Sequence, residues 1–143
     1  MRLSQLVQIL GGQKVLRREI ATRLDLVALG HKGVPKAALL QLTEFLGLSV
    51  AQIAALLPVT ERTIQRYPMN KNFSRVVSEQ IIQLAEVAAR GVEVFADRES
   101  FLAWLDAPNP ALQGHTPRSL LASRFGSELV LDELGRIEHG VFA

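Results

Sequence analysis

The sequence predicts an all-α fold, and three observations support this prediction. Apolar residues recur at helical spacing in several segments of the 143-residue chain. Ser, Thr or Asp stands just before many of these segments, where its side chain can cap a helix start. No segment shows the long alternation of apolar and polar residues that a half-buried strand requires. Because 48% of the residues are hydrophobic, the chain can bury one core or two small ones.

The first third of the chain is predicted to form three helices. Residues 3–10 form a short amphipathic helix that ends at two glycines. Residues 14–31 are expected to form one continuous helix. After the Gly-Val-Pro break at 33–35, a further helix runs from 36 to 46 and is capped by Gly47. The predicted inward stripe of the second helix is Leu16, Ile20, Leu24 and Val27.

Residues 49–67 carry the pattern of a helix-turn-helix motif, in which two short helices are joined by a tight turn. Ser49 is predicted to cap the first helix and Thr60 the second. Pro58 and Pro68 are predicted to end the two helices, because proline disfavours a helical residue before it and has no N–H to donate. Many such motifs place glycine where this chain has Pro58, so the crossing angle stays open.

The second helix of this motif has one cationic face and one apolar anchor. At about 100° per residue, Arg62, Gln65 and Arg66 share a narrow arc, while Ile64 points the opposite way. The small Ala54 allows the two helices to approach, and Ile64 fills their interface. Arginine can make two hydrogen bonds to guanine and glutamine two to adenine, so we predict a helix that reads the DNA major groove. The alternative is an ordinary helical hairpin with a solvated charged face.

The distribution of charge agrees better with a DNA-binding role than the total does. The formal net charge is only +2, but no acidic residue lies between Arg62 and Arg75. The basic patch therefore lies on and just after the predicted recognition helix, where phosphates would lie. A solvated basic surface is the alternative. The predicted DNA-binding residues are Thr60, Arg62, Thr63, Gln65, Arg66, Lys71 and Arg75.

A long helix is predicted to connect this region to a second helical unit. It starts after Ser74, ends or kinks at Gly91, and buries the stripe Val77, Ile81, Leu84 and Ala88. Asp97 caps the next helix, and a Pro-rich turn at 107–111 follows it. Thr116 caps a short helix, residues 124–126 break it, and Ser127 caps the last one. We expect an N-terminal domain at 1–73, a connecting helix at 74–94 and a C-terminal domain at 95–143.

Several function classes are excluded by what the sequence lacks. No apolar run approaches the length of about 18 residues that suggests a membrane span, and the first residues do not resemble a signal peptide. The absence of cysteine favours a cytoplasmic protein. The three histidines, at 31, 115 and 139, have no metal-ligand spacing, and no Gly-rich phosphate loop follows a strand. We therefore expect no enzymatic activity, no metal and no cofactor.

The C-terminal residues match a known pattern. The segment 104–112 (WLDAPNPAL), Thr116-Pro117, Leu120-Leu121, Gly126 and the ending 135–142 (GRIEHGVF) closely resemble the toxin-binding domain of Xre/MbcA/ParS antitoxins. Residues 33–35 and the helix-turn-helix resemble the N-terminal half of the same family. This resemblance covers nearly the whole chain.

The resemblance implies an antitoxin of a type II toxin–antitoxin pair. The partner it implies is a RES-domain toxin that degrades NAD, whose active-site entrance the antitoxin covers, while the helix-turn-helix represses the shared operon. Since helix-turn-helix proteins usually bind as two-fold dimers, we expect a homodimer on operator DNA. By position, the implied toxin-binding residues are Arg136, Glu138, His139, Gly140, Val141, Phe142 and Ala143.

Other interpretations stay open at this point. From the residues alone, the apolar Val141 and Phe142 either fold back on the chain's own core or insert into a partner. A dimeric helix-turn-helix regulator with no toxin partner is the main alternative function. A protein-binding module whose helix-turn-helix no longer binds DNA is another.

Overall fold

The computed structural model describes residues 2–140, and within them the protein is α-helical without a β-strand. The prediction of an all-α fold is thus confirmed. Two 3-10 turns, Pro110–Leu112 and Pro117–Leu120, lie between the last two helices. The helices are α1 (Arg2–Ile9), α2 (Gln13–Leu16), α3 (Arg23–Lys32), α4 (Lys36–Phe45), α5 (Val50–Ala54), α6 (Glu61–Arg66), α7 (Arg75–Phe95), α8 (Arg98–Leu105) and α9 (Arg124–Glu138). None of these helices is both long enough and apolar enough to cross a membrane.

The long helix α7 lies at the centre of the fold. Helices α1, α3, α8 and α9 all pack against it. One continuous apolar cluster joins residues from α1 to α9 through this helix. The predicted stripe is confirmed, because each of its residues is at most 8% exposed. These residues are Val77, Ile81, Leu84 and Ala88.

The prediction of one helix over residues 14–31 is wrong. Two short helices, α2 and α3, stand there instead, separated by a break at 17–22. Arg17 takes a left-handed conformation with φ 58°. The Asp25 carboxylate accepts hydrogen bonds from the backbone N–H groups of Ala21 (2.7 Å) and Thr22 (2.9 Å). These bonds cap α3 and lower the pKa of Asp25, because they favour its ionised form.

This break changes which residues of α3 face the core. Leu24 and Val27 were predicted to point inward, but they are 74% and 58% exposed. Leu26 and Leu29 are buried in their place. The helix is therefore rotated relative to the predicted stripe.

Two glycines predicted to break helices lie inside them. Gly91 neither ends nor kinks α7, which continues to Phe95. A Cβ on Gly91 would lie 2.1 Å from Cε1 of Phe101, so the glycine makes room for this buried ring. Gly126 lies in the first turn of α9, where Ser123, and not Ser127, is the cap. A Cβ there would lie 1.8 Å from the carbonyl oxygen of Leu120.

The other predicted caps are confirmed. Ser74 Oγ accepts the N–H of Val77 at 3.4 Å, and Thr116 Oγ1 accepts that of Ser119 at 3.2 Å. The Asp97 carboxylate accepts the N–H and the hydroxyl of Ser100 at 2.7 Å and 2.9 Å. These bonds lower the pKa of Asp97. Gly47 follows α4 with φ 68°, as a C-terminal cap requires.

Candidate functional site

Helices α5 and α6 pack against each other as the predicted helix-turn-helix. Ser49 Oγ accepts the N–H of Gln52 at 3.1 Å, and the Gln52 side chain accepts the N–H of Ser49 at 2.9 Å. Thr60 Oγ1 accepts the N–H of Thr63 at 3.1 Å and so caps α6. One expectation is wrong, since α5 ends at Ala54 and not directly before Pro58. Residues 55–58 form tight turns before the second helix.

The orientation predicted for α6 is confirmed. Ile64 is fully buried and Ala54 is 9% exposed. On the opposite side the helix exposes Arg62, Thr63, Gln65 and Arg66.

The two arginines of this face are available for a ligand. Among residues 2–140, neither the Arg62 side chain nor the Arg66 side chain has a hydrogen-bond or ion-pair partner. Gln65 is held in place, because its Nε2 donates to Glu61 Oε2 at 3.2 Å.

Lys36 anchors the C-terminal end of α6, a role that the sequence did not reveal. Its Nζ donates to the carbonyl oxygens of Gln65 at 3.2 Å and Tyr67 at 3.0 Å. A cation at this end also interacts favourably with the helix dipole. No sequence signal joins residues about thirty positions apart, so only the fold shows this contact.

The last two predicted DNA-binding residues lie beyond α6 and have partners within the chain. The Lys71 ammonium lies 4.7 Å from the ring centroid of Tyr67, which stacks on Phe73 with centroids 4.4 Å apart. Arg75 Nε and Glu79 Oε2 are 3.3 Å apart in an exposed ion pair. Exposed pairs of this kind contribute little free energy, so an anionic ligand can displace the carboxylate.

The turn that follows α6 is fixed to the segment that precedes α4. Backbone hydrogen bonds join Phe73 N to Val34 O (2.9 Å) and Ala37 N to Met69 O (3.0 Å). Gly33 makes this contact possible, since a Cβ on it would lie 2.5 Å from the Phe73 carbonyl oxygen. The C-terminal end of α6 is therefore held by the start of α4 and the segment before it.

At the end of α9, two implied toxin-binding residues already bond within the chain. Arg136 donates to Glu133 Oε1 through Nε at 2.9 Å and Nη2 at 2.6 Å. Glu138 pairs with Arg90 of α7 and lies 4.0 Å from Arg2 of α1. Glu138 therefore connects α9 to both α7 and α1.

The remaining implied toxin-binding residues lie at or beyond the end of the described chain. His139 and Gly140 are exposed after α9, and Gly140 has φ 67°. Val141, Phe142 and Ala143 lie outside the described residues.

These features define an α-helical helix-turn-helix protein whose C-terminal helices pack on the same central helix. Residues 25–86 match the family described as the Antitoxin Xre-like helix-turn-helix domain. Residues 90–140 match the Antitoxin Xre/MbcA/ParS C-terminal toxin-binding domain. The chain therefore carries, one after the other, the helix-turn-helix domain and the toxin-binding domain of the Xre/MbcA/ParS antitoxins.

One similar protein is Antitoxin Xre of Yersinia enterocolitica serotype O:8 / biotype 1B (strain NCTC 13174 / 8081). The two sequences are 35% identical over 72 residues, which span 50% of this chain and 49% of that protein. The match therefore covers about half the length of the relative.

A similar solved structure is a chain of the M. tuberculosis MbcT–MbcA toxin–antitoxin complex. Its TM-score is 0.56 at 20% sequence identity, and the match covers 87% of this chain and 100% of that one. At this identity the similarity shows a common fold.

Proposed function

We propose that this chain is the antitoxin of a type II toxin–antitoxin pair. The observation that carries this proposal is the match of both family domains, one after the other, on a chain with one continuous core. The chain acts without enzymatic activity of its own. Its C-terminal helices bind and neutralise a toxin protein, and its helix-turn-helix binds operator DNA and represses the shared operon.

The toxin is proposed to be a RES-domain protein that degrades NAD. In this proposal the residues from Arg136 to Ala143 cover the entrance of its active site. Phe142 would contribute about 1.5–3 kcal/mol if its ring were fully removed from water. Support comes from the exposure of His139 and Gly140 within this segment.

Co-expression with the product of the neighbouring gene tests the toxin-binding half. We expect the neighbour alone to arrest growth and lower cellular NAD, and both effects to disappear when this chain is present and co-purifies with it. A harmless neighbour that does not co-purify would favour the alternative, a dimeric regulator with no toxin partner.

Truncation after Glu138 tests the role of the last residues. This variant lacks residues 139–143 but keeps the pair between Glu138 and Arg90, so its folding should be preserved. We expect neutralisation to weaken while the melting temperature stays close to that of the full chain. Full-length Arg90→Met is the matched control, because it loses the ion pair and keeps every proposed toxin-binding residue. Equal neutralisation by the truncated and full chains would refute the covering role.

DNA binding is proposed to depend on the exposed face of α6. Arg62→Ala and Arg66→Ala should each reduce the preference for the operator, since base contacts carry sequence discrimination of about 1–3 kcal/mol per bidentate pair. Binding can be measured by fluorescence anisotropy on the operator and on an unrelated duplex. Unaltered preference in both variants would contradict the assignment of this face.

The homodimer stays a prediction. Leu24 and Val27 of α3 and Val76 of α7 are 74%, 58% and 62% exposed and line one groove between these helices. Light scattering coupled to gel filtration would measure the molar mass of the protein in solution and so its oligomeric state. A monomer at the concentration of DNA binding would contradict the predicted dimer.

A further inference from the structure

A second group of basic residues lies beside the turn that follows the recognition helix. Two neighbouring concavities meet there. Lys14, Arg17, Asn70 and Asn72 line the first, of about 260 Å³. Arg17, Lys32 and Asn72 line the second, of about 280 Å³. No carboxylate lines either concavity. The fold brings Arg17 and Lys32 next to Asn72, although they are far from it in sequence.

The basic side chains of this group are accessible. Lys14, Arg17 and Lys32 are exposed, and none of them pairs with a carboxylate within residues 2–140. Arg18, which also lines the second concavity, is half-buried and donates from Nη1 to the carbonyl oxygen of Ala28 at 3.4 Å.

The backbone at Arg17 shows that the loop between α2 and α3 has a defined shape. Arg17 has φ 58°, a conformation that a non-glycine residue adopts only when the surrounding structure holds it. Its N–H donates to the carbonyl oxygen of Gln13 at 2.7 Å.

This group is fixed relative to α6. Asn72 Nδ2 donates to the carbonyl oxygen of Lys32 at 3.2 Å. Lys36 N donates to the carbonyl oxygen of Lys71 at 3.2 Å, and Lys36 Nζ holds the end of α6. The basic group and the recognition helix therefore form one preorganised surface, which reduces the entropy lost on binding a rigid ligand.

We propose that Lys14, Arg17 and Lys32 form a second contact surface for DNA phosphates, next to the segment that α6 reads. The negatively charged DNA backbone fits this surface, because its cations lie beside Asn70 and Asn72, the neighbours of Lys71 in the chain, and no acid lines the concavities. Phosphate contacts of this kind add affinity without sequence discrimination, and the amides of Asn70 and Asn72 are further donors. The inference rests on the proposed DNA-binding function.

The test compares two sets of variants with the full-length chain. The first combines Lys14→Ala, Arg17→Gly and Lys32→Ala. Glycine suits the left-handed conformation at position 17, so this variant should melt at an equal or higher temperature. The matched control removes the same number of charges from arginines elsewhere on the surface. It combines Arg23→Ala, Arg118→Ala and Arg124→Ala.

Affinity is measured for the operator and an unrelated duplex over a series of salt concentrations. Each lost phosphate contact should reduce the slope of log K against log[salt] by about 0.9, or roughly 2.7 for three contacts. A fourfold rise in salt would then weaken binding of the wild type about 40-fold more than binding of the first variant. The loss should be similar on both duplexes, whereas Arg62→Ala should mainly reduce the preference for the operator.

The outcomes separate this inference from the function on which it rests. If the wild type binds and the slope of the first variant is unchanged, the second contact surface is wrong and the DNA-binding function stands. An equal loss in the control variant would attribute the effect to total charge and would also overturn the inference. If the wild type binds neither duplex at low salt, the DNA-binding function fails, and the inference fails with it.

Discussion

Gly126→Ala should destabilise the C-terminal helices by a steric clash with the backbone. A Cβ at this position would lie 1.8 Å from the carbonyl oxygen of Leu120 and 2.7 Å from its carbonyl carbon. Ordinary contacts of a Cβ begin at 3.4 Å, so the two segments must separate by about 1.6 Å. The obstacle is main chain and cannot rotate away as a side chain can. The adjacent Leu121 is only 4% exposed, so the 3-10 turn has little room to move.

The magnitude follows from two opposing effects. Overpacking against a rigid neighbour costs about 3 kcal/mol, at the upper end of its usual range. Alanine in place of a helical glycine recovers about 1 kcal/mol. The net loss in free energy of unfolding is therefore about 2 kcal/mol. With an unfolding entropy of about 2.1 cal/mol/K per residue over 143 residues, the melting temperature should fall by about 7 °C.

The assay is thermal unfolding followed by circular dichroism, with Gly135→Ala on the same helix as the control. A Cβ on Gly135 would meet only the Nη2 atom of Arg90 at 3.3 Å, which is the end of a flexible side chain. The control should therefore be neutral or gain up to about 1 kcal/mol. If Gly126→Ala melted at or above the wild-type temperature, the close approach of Leu120 to α9 would be refuted.

Three further substitutions test local contacts. Asp97→Asn keeps a capping oxygen but cannot titrate. The folded-state pKa of Asp97 is lowered from its ordinary 3.8. The extra stability of the wild type over this variant should therefore be complete above pH 3.8 and disappear as the pH falls through the lowered pKa. Thermal unfolding at several pH values measures this difference. Lys36→Met removes the cation at the C-terminal end of α6 and should lower the free energy of unfolding by about 1 kcal/mol. It should also lower the affinity for the operator. An unchanged affinity would show that Lys36 does not position the helix. Glu138→Gln should lower the free energy of unfolding in urea by about 1 kcal/mol, because it leaves Arg90 unpaired in the half-buried contact between α7 and α9. Adding Arg90→Met to this variant should cause no further loss.

The parts of the fold that the sequence predicted depend on short-range geometry. Ser49, Thr60 and Ser74 cap helices through an N–H three residues later, so their role is visible in a few consecutive letters. The capping pair of Thr22 and Asp25 is equally local, but it was not predicted. The prediction followed an apparent apolar stripe that crosses the break between α2 and α3.

The remaining errors concern neighbours that are distant in sequence. Gly91 was predicted to break α7, because a lone glycine favours a break when nothing packs on it. In the fold, the ring of Phe101 occupies the space beside it, and the glycine continues the helix. Only the tertiary arrangement supplies this information.

The candidate site also combines features that follow from the local sequence with features that only the tertiary fold shows. The exposed face of α6 follows from helical periodicity, so Arg62 and Arg66 were placed correctly on the surface. The anchoring contact of Lys36 and the position of Arg17 beside Asn72 depend on loops that cross the fold. They could not be derived from spacing along the chain.

The packing of α7 also bears on how the two functional units are related. The division into 1–73, 74–94 and 95–143 stays a prediction, but the helix in the middle does more than connect. Its ion pairs reach α1 through Glu93 and Arg2, α3 through Glu86 and Arg23, and α9 through Arg90 and Glu138. Its apolar residues pack against α1 and α3 and also against α8 and α9. A cut at either end of α7 would therefore expose core residues, because helices of the N-terminal and the C-terminal regions are stabilised by the same central helix.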